Sequence, residues 1–444
     1  MVRFFSYLPF RAVSTALFGL GLAAAVSAGA VQARGLDGSA DAWVDPWDAP
    51  AVDDAGLSTA DAPGGAAAAA DEIDEVPVAQ SSVPTLGGEA VGRIDHAIAL
   101  YREIESWGGW PRIPQGEKLE LGVTERRVAL LRERLVAGGD MKASEADPYL
   151  FTPQVDAAVK RFQRRNGLKP DGVVGPRTLE MMNVPVSRRI AQLRQNRSRL
   201  AEMGPRVAGS KRYVFVNIAA QEVEAVADNR VEFRQRVVVG KRDRQTPELS
   251  SAVSSVILNP YWFVPKSIAI KDKLSKIKAD PGYLQRAGFK LMAGWGDTAR
   301  EINPYSVDWS ADTFNRYYLR QDPGKWNALG RVKIDFPNQH AVYLHDTPTR
   351  YLFQLSSRSF SSGCVRVKEV RTLATWLLEG KEGWNRARID ATISRGYLQA
   401  VGLKQAVPIH LKYITAWVDG DGMVNFRPDI YNRDRLYSTA TAQY

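Results

Sequence analysis

The apolar residues between positions 121 and 185 recur with a helical period and predict three short helices. The second helix begins after Thr152-Pro153, an N-cap residue followed by a residue that suits the first helical position. Gly175-Pro176 precedes the third helix. The apolar positions of the three helices are Val128, Leu131, Leu135, Val155, Val159, Phe162, Leu179 and Met182. Residues 121–185 are therefore predicted to form a small helical domain.

Two longer helices are predicted on either side of this domain. Residues 91–110 and 186–203 both carry apolar side chains at spacings of three and four. We interpret residues 91–120 and 186–210 as a helical scaffold whose two parts pack together beside the small domain.

From Lys211 the apolar period changes from helical to strand-like. The predicted strands cover residues 213–218, 222–226, 231–239, 255–258, 332–336 and 341–344. Because the first strands follow one another through short turns, they predict a mainly antiparallel, sandwich-like sheet. The expected fold class is thus multidomain α+β. Helical spacing over 267–278 and 308–319 indicates a helical insertion, and we expect residues 264–320 to cap the sheet as a lid.

The N-terminal residues have the order of a secretory signal. Arg3 and Arg11 precede an apolar stretch, and Ala28-Gly29-Ala30 offers a cleavage site, so residues 1–33 are predicted to be a signal peptide. An uncleaved membrane anchor is the alternative, because the apolar stretch is nearly long enough to span a bilayer. Residues 34–90 carry a net charge of −11 and few large apolar side chains, which predicts a disordered acidic linker.

Composition and charge narrow the classes of partner. The 444 residues are 45% hydrophobic and 24% charged, which excludes a wholly disordered chain and a collagen-like fibre. The total net charge is +10, but residues 1–33 carry +2 and residues 34–90 carry −11, so residues 91–444 carry +19. In an exported protein this charge favours an acidic cell-envelope surface, and no nucleic acid is expected as a partner.

Few residues of the chain can carry chemistry. The four histidines, His96, His340, His345 and His410, lack the spacing of metal ligands. Cys364 is the one cysteine and lies nineteen residues after His345. Taken alone, Cys364 can be interpreted as a small buried hydrophobic residue. His345 taken alone can be interpreted as a hydrogen-bonded core histidine. An unpaired cysteine in an exported protein nevertheless indicates that the thiol is used.

A thiol and an imidazole on neighbouring strands would complement each other chemically. Only the thiolate attacks a carbonyl well, and an adjacent imidazole can take the proton and return it to the leaving amine. Strand alternation directs Tyr343 and His345 to one face, away from the core. Gly363 permits an unusual turn that would aim backbone N–H groups at an oxyanion. Either Asp346 or a backbone carbonyl could orient the imidazole ring.

Two stretches of this sequence resemble known families. The residues from Val159 to Leu179 (VKRFQRRNGLKPDGVVGPRTL) resemble the peptidoglycan-binding domain family, which implies binding of glycan or stem peptide by residues 121–185. The residues YLHDTP at 343–348 and RSFSSGCVRV at 358–367 resemble the L,D-transpeptidases of the YkuD-like fold. The segments 259–265, 320–324 and 327–330 resemble the large Gram-negative branch with a capping subdomain, so residues 211–413 are expected to be catalytic and 414–444 a C-terminal extension.

The second resemblance implies roles for individual residues. Cys364 would be the nucleophile and His345 the general base, with Ser362, Gly363 and Cys364 donating N–H groups to the oxyanion. Tyr343, Arg358 and Arg366 are candidate substrate-binding residues, although a structural role for either arginine is equally compatible with the sequence. Many family members have a histidine where this chain has Ser362.

The same resemblance implies a reaction and a location. The enzyme would form 3→3 peptidoglycan cross-links from tetrapeptide stems through a thioester, with no metal or organic cofactor, in the periplasm. Carbapenems are expected to acylate the cysteine. Two alternatives use the same thioester, namely L,D-carboxypeptidase activity and attachment of a protein to peptidoglycan. A non-catalytic peptidoglycan-binding protein is the more distant alternative.

Overall fold

A computed structural model of the chain describes residues 81–144 and 146–434. The predicted signal peptide and residues 34–80 of the predicted linker lie outside the described residues. The end of that linker was placed too late, because residues 81–89 pack on the sheet. The Val231 N–H donates to the Ser82 carbonyl at 2.8 Å, and the buried Thr85 donates to the Glu224 carboxylate through its N–H and its hydroxyl at 3.1 and 2.7 Å. These bonds offset the entropy of ordering the segment.

The three predicted helices of the small domain are confirmed as α2 (Arg126–Ala137), α3 (Pro153–Arg165) and α4 (Pro176–Met182). At the start of α3 the Thr152 side chain accepts a hydrogen bond from the Val155 N–H. The apolar faces of the three helices enclose a core of their own. The helical period of the sequence was sufficient to predict this domain because its contacts are local.

The scaffold helices are confirmed as α1 (Ala90–Ser106) and α5 (Val186–Val207). Their apolar faces share one core, and on the surface Arg197 donates two hydrogen bonds to Asp95 at 2.5 and 3.0 Å. The hairpin of β14 (Ala416–Val418) and β15 (Val424–Phe426) packs into the same core. The C-terminal residues therefore complete the scaffold.

The large sheet contains nine strands of the described chain. They are β1 (Arg212–Asn217), β2 (Glu222–Ala227), β3 (Arg230–Gly240), β4 (Leu249–Leu258), β9 (Val332–Asp335), β10 (Leu344–His345), β11 (Ser359–Ser361), β12 (Val365–Val367) and β13 (Gln399–Lys412). Their order is β11-β3-β12-β10-β9-β4-β13-β1-β2, and β3 also pairs with β2, so the sheet closes on itself. Most pairs are antiparallel, and the predicted α+β class is confirmed.

Some elements of this domain differ from the sequence prediction. The strand predicted over 341–344 is reduced to Leu344–His345, because the Asn338 side chain bonds the backbone of His340 and Val342 in a turn. Five elements of this domain were not predicted, namely β11, β12, β13, α10 (Val370–Leu377) and α11 (Arg386–Ser394). The two helices cover the core on one side of the sheet.

The capping insertion is a mixed α/β unit rather than the helical one predicted. It contains the sheet β5-β8-β6-β7, formed by β5 (Trp262–Phe263), β6 (Phe289–Ala293), β7 (Arg300–Glu301) and β8 (Tyr318–Gln321), and it has a separate apolar core. Its helices are α6 (Lys266–Ile268), a π-helical turn Ala269–Lys273, α7 (Leu274–Ala279), α8 (Tyr283–Arg286) and α9 (Thr313–Arg316). The helix predicted over 308–319 is reduced to α9, because the chain continues as β8, on which Leu319 and Gln321 alternate inward.

Buried arginines connect the small domain to the rest of the fold. Arg165 at the end of α3 pairs with Asp140 at 2.5 Å, and both side chains are at most 4% exposed. The Arg427 guanidinium donates to the Arg165 carbonyl at 3.1 Å, and Arg189 lies over the Phe426 ring. Within the described residues, no helix combines the length and apolar composition needed to cross a bilayer.

Candidate active site

The candidate site lies on three neighbouring strands of the large sheet. His345 on β10 is opposite Lys333 on β9 and Arg366 on β12. Cys364 immediately precedes β12, and the Val365 N–H donates to the Tyr343 carbonyl at 3.1 Å. Because side chains alternate along a strand, Cys364 lies on the same face of the sheet as His345. The structure thus brings together two residues that are nineteen positions apart in the sequence.

Tyr343 contacts both the thiol and the imidazole. Its ring packs edge-on against His345 with the ring centroids 5.6 Å apart, whereas Leu344 points into the core, as the alternation predicted. The Tyr343 hydroxyl hydrogen-bonds the Cys364 sulfur and the Trp262 indole, and burial raises the pKa of this phenol. Since Trp262 begins the cap, Tyr343 contacts both the cap and the thiol.

A backbone carbonyl orients the imidazole. The His345 Nδ1 lies 2.5 Å from the Asp346 carbonyl oxygen, which can only accept, so Nδ1 carries the proton and Nε2 is an acceptor. The Asp346 carboxylate instead accepts from the Arg331 N–H at 3.0 Å. Burial and the nearby charge of Arg366 lower the pKa of His345 to about 3. The imidazole is therefore neutral over the physiological pH range, with its Nε2 lone pair free of a proton.

Cys364 is half-buried at the edge of the core. Burial raises the pKa of the Cys364 thiol, and this effect outweighs the hydrogen bonds from Tyr343, which lower the pKa. The thiol is thus protonated in the resting structure. Its ionisation requires a base at the moment of attack, which is the arrangement that general-base catalysis serves.

The turn before Cys364 holds one of the three predicted oxyanion donors. The Gly363 N–H donates to the Ser361 hydroxyl at 3.1 Å, and that hydroxyl donates to the Cys364 carbonyl. Gly363 has a φ of 115°, a conformation that residues with a side chain rarely adopt. Because the Gly363 N–H is engaged within the turn, Ser362 and Cys364 are the favoured candidate donors.

Arg358 is buried and bonded to the backbone. It is 4% exposed, and its guanidinium donates only to backbone carbonyls in the described structure. The accepting carbonyls belong to Ala220, Gln221, Val237, Leu355 and Ser356. Burial lowers the pKa of Arg358 to about 10. The guanidinium therefore joins the β1–β2 turn to the start of β11, which favours the structural one of the two roles considered for Arg358. Arg366, in contrast, is half-buried beside His345.

Arg244 connects the cap to the turn before Cys364, and the sequence analysis missed it. Its two terminal nitrogens donate to the Asp272 carboxylate at 2.5 Å each, and Nη1 also donates to the Ser362 hydroxyl at 3.1 Å. Asp272 lies in the π-helical turn of the cap. No sequence signal could have revealed this contact, because the three residues are far apart in the sequence and neither Arg244 nor Asp272 belongs to a recognisable motif.

The described residues contain no group of three or more His, Cys, Asp and Glu side chains placed to hold a metal ion. The polar groups around Cys364 are instead organised by hydrogen bonds and by two cations, Lys333 and Arg366. Lys333 lies over the Tyr343 ring at 4.5 Å and pairs with Asp335 at 3.0 Å. The surroundings of Cys364 therefore combine a neutral imidazole with positive charge.

Two family models match this chain. Residues 211–389 match the L,D-transpeptidase catalytic domain of the YkuD type, and residues 124–182 match a "Putative peptidoglycan binding domain". A curated Haemophilus influenzae protein named "Putative L,D-transpeptidase" is 36% identical over 228 residues. The alignment covers 51% of this chain and 45% of that protein, so the chain spans about half the length of the curated relative that it matches.

Solved structures of L,D-transpeptidases are also similar at low identity. The enzyme from Xylanimonas cellulosilytica is 18% identical, with 67% of this chain and 99% of that chain covered and a TM-score of 0.21. L,D-transpeptidase 3 from Mycobacterium tuberculosis, in complex with a faropenem-derived adduct, is 11% identical, with 46% and 61% covered and a TM-score of 0.23.

The family matches coincide with units that the structure describes independently. The catalytic match includes the strands that carry His345 and Cys364, and the second match covers the three helices with their own core. This chain therefore contains an L,D-transpeptidase catalytic domain of the YkuD family and, before it, a domain of the peptidoglycan-binding family.

Proposed function

We propose that this protein is a cysteine-dependent L,D-transpeptidase that forms 3→3 cross-links between peptidoglycan stems. The observation that carries the proposal is the placement of Cys364 and His345 on one face of neighbouring strands, with His345 Nδ1 bonded to the Asp346 carbonyl. This bond leaves Nε2 as the basic nitrogen. The matched catalytic domain supports the reaction class.

The first half of the proposed reaction forms a thioester. Cys364 attacks the carbonyl that joins the third residue of a tetrapeptide stem to its terminal D-alanine, and His345 takes the thiol proton. The N–H groups of Ser362 and Cys364 are placed in the turn where the oxyanion forms. His345 then returns the proton to the leaving amine, and D-alanine departs.

The second half transfers the stem to an acceptor. The side-chain amine of a diamino acid on another stem attacks the thioester, and the cross-link forms as the thiol is restored. Arg366 and Lys333 make the site positive, which favours stems that carry carboxylates. Arg366 and Tyr343 are our candidate substrate-binding residues, and the cell envelope, with the periplasm as its compartment, is the proposed location.

A defined substrate tests this proposal. Purified protein is incubated with a disaccharide-tetrapeptide, and mass spectrometry identifies the products. We expect a cross-linked dimer with loss of one D-alanine. Release of D-alanine with free tripeptide alone would indicate carboxypeptidase activity, and release only when a protein amine is supplied would indicate protein attachment.

Acylation of Cys364 by a carbapenem is a second test of the proposal. Intact-mass analysis should show one adduct on the wild-type chain and none on Cys364→Ala. If the tetrapeptide stays unaltered and the carbapenem adds no mass to the chain, the proposed enzymatic activity is refuted. The protein would then be a non-catalytic peptidoglycan-binding protein.

The pH dependence of acylation should reveal the buried imidazole. Because burial and Arg366 hold the pKa of His345 near 3, the base stays neutral below the ordinary histidine range. The rate of carbapenem acylation should therefore show no acid limb near pH 6.5. Removing the charge with Arg366→Gln raises the pKa of His345 while burial still lowers it, so the acid limb should move to higher pH and the rate at pH 4 should fall relative to the rate at pH 7.5.

The ratio of rates separates this effect from any loss of ligand affinity, which lowers both rates together. Arg371→Gln, a charge change on α10, is the matched control and should keep the wild-type ratio. A wild-type acid limb at pH 6.5 would contradict a buried, neutral His345.

A further inference from the structure

The helical domain borders a groove of about 910 Å³ that lies away from Cys364. One wall is the segment 112–118, and the other is formed by α4 and the start of α5. Both the segment 112–118 and the residues 183–188 lie outside the family match at 124–182. The groove is therefore completed by the scaffold and is not a feature of the small domain alone.

Hydrogen bonds hold the two walls of the groove in place. The Asn183 side chain accepts from the Ile113 N–H at 2.9 Å and donates to the Ile113 carbonyl at 2.8 Å. The Trp110 indole donates to the Val184 carbonyl at 3.0 Å, and Arg127 donates to the Glu117 carbonyl at 2.7 Å. Because these hydrogen bonds fix both walls, the groove exists before any ligand binds, which is typical of binding sites.

The groove presents positive charge. Arg112 and Arg188 are exposed, and neither has an ion-pair partner among the described residues. Lys118 is also at the groove but pairs with Glu120 at 3.0 Å. Glu180 is the one acidic residue of the described lining. Two guanidinium groups without carboxylate partners suit a ligand that supplies carboxylates, because such pairs form strong, directional hydrogen bonds.

The other residues that line the groove favour a peptide ligand over a sugar ligand. Its apolar residues are aliphatic or proline, namely Ile113, Pro114, Val174, Pro176, Leu179, Val184 and Pro185. No aromatic ring lines this groove in the described structure, so it offers no flat surface on which a pyranose ring could stack. The combination of guanidinium groups and an aliphatic floor fits a peptide with carboxylates and short apolar side chains.

We propose that this groove binds the stem peptide of peptidoglycan, with Arg112 and Arg188 engaging its carboxylates. The proposal rests on the proposed function for the identity of the ligand. According to this proposal, the protein recognises the peptide part of peptidoglycan rather than its glycan part. The binding surface is shared by the small domain and the scaffold.

Sedimentation with intact peptidoglycan sacculi tests the groove without turnover. The full chain carrying Cys364→Ala is compared with the same chain carrying Arg112→Glu and Arg188→Glu. We expect the charge reversal to weaken binding by about tenfold or more. Arg164→Glu, an exposed change of the same charge on α3 outside the groove, should bind like the parent. A free tetrapeptide should compete, and a chitooligosaccharide should not.

Equal binding by the charge-reversed chain, or competition by the chitooligosaccharide alone, would overturn the proposal. Arg112→Gln with Arg188→Gln and a thermal unfolding curve separate a binding defect from misfolding. The groove changes in the chain that retains Cys364 should leave carbapenem acylation intact. If the wild-type chain itself is not acylated, the proposed function fails while the sedimentation result still decides the groove.

Discussion

Replacement of Cys364 by alanine should reduce cross-link formation by roughly 10⁴-fold or more, because no thioester can form without the sulfur. The side chain is half-buried and makes its hydrogen bonds with Tyr343, so the fold should persist. The measurement is the yield of cross-linked dimer by mass spectrometry, together with the thermal unfolding midpoint. A variant that still forms dimer would place the nucleophile elsewhere.

The companion change His345→Gln should lower the rate by roughly 10²–10⁴-fold at neutral pH. Because burial raises the pKa of the Cys364 thiol, little thiolate exists there without the base. The residual rate should therefore increase with pH as hydroxide replaces the imidazole. His410→Gln is the matched control, since His410 lies on β13 with its Nδ1 bonded to the Ser250 hydroxyl. Full activity in His345→Gln at pH 7 would refute the assignment of the base.

Asp140→Ala should lower the free energy of unfolding by about 3–5 kcal/mol. Asp140 is the carboxylate partner of Arg165 in the buried pair at 2.5 Å, and Arg134 and Arg189 lie buried nearby. Removal of the carboxylate leaves the buried Arg165 without its ion-pair partner and beside two further buried cations. Since Arg165 also contacts the Val424 carbonyl at 3.4 Å, the loss should loosen the small domain from the C-terminal hairpin.

Chemical denaturation followed by circular dichroism measures this effect. Asp95→Ala breaks the exposed pair with Arg197 and is the control, because solvent screens that pair and its loss should cost far less. If Asp140→Ala unfolds at the denaturant concentration of the wild type, the buried pair does not stabilise the interface.

The candidate site could be located from the sequence because Cys364 and His345 lie in short, contiguous motifs. Strand alternation around residue 344 was enough to predict that Tyr343 and His345 share a face, and the structure confirms it. The surroundings of Gly363 and Arg358 could not be predicted. They depend on hydrogen-bond partners, which are the Ser361 hydroxyl for Gly363 and, for Arg358, carbonyls that include two more than one hundred residues away.

Periodicity and local spacing were sufficient to predict the helical domain, the scaffold helices, the early strands and the two motifs of the catalytic domain. These features depend on residues that are near one another in the chain. The mixed architecture of the cap, the Arg244 contact with Asp272 and Ser362, and the carbonyl that orients His345 could be seen only in the folded chain. Each of them depends on contacts between groups that are distant in the sequence or on the path of the backbone, and no local pattern specifies these.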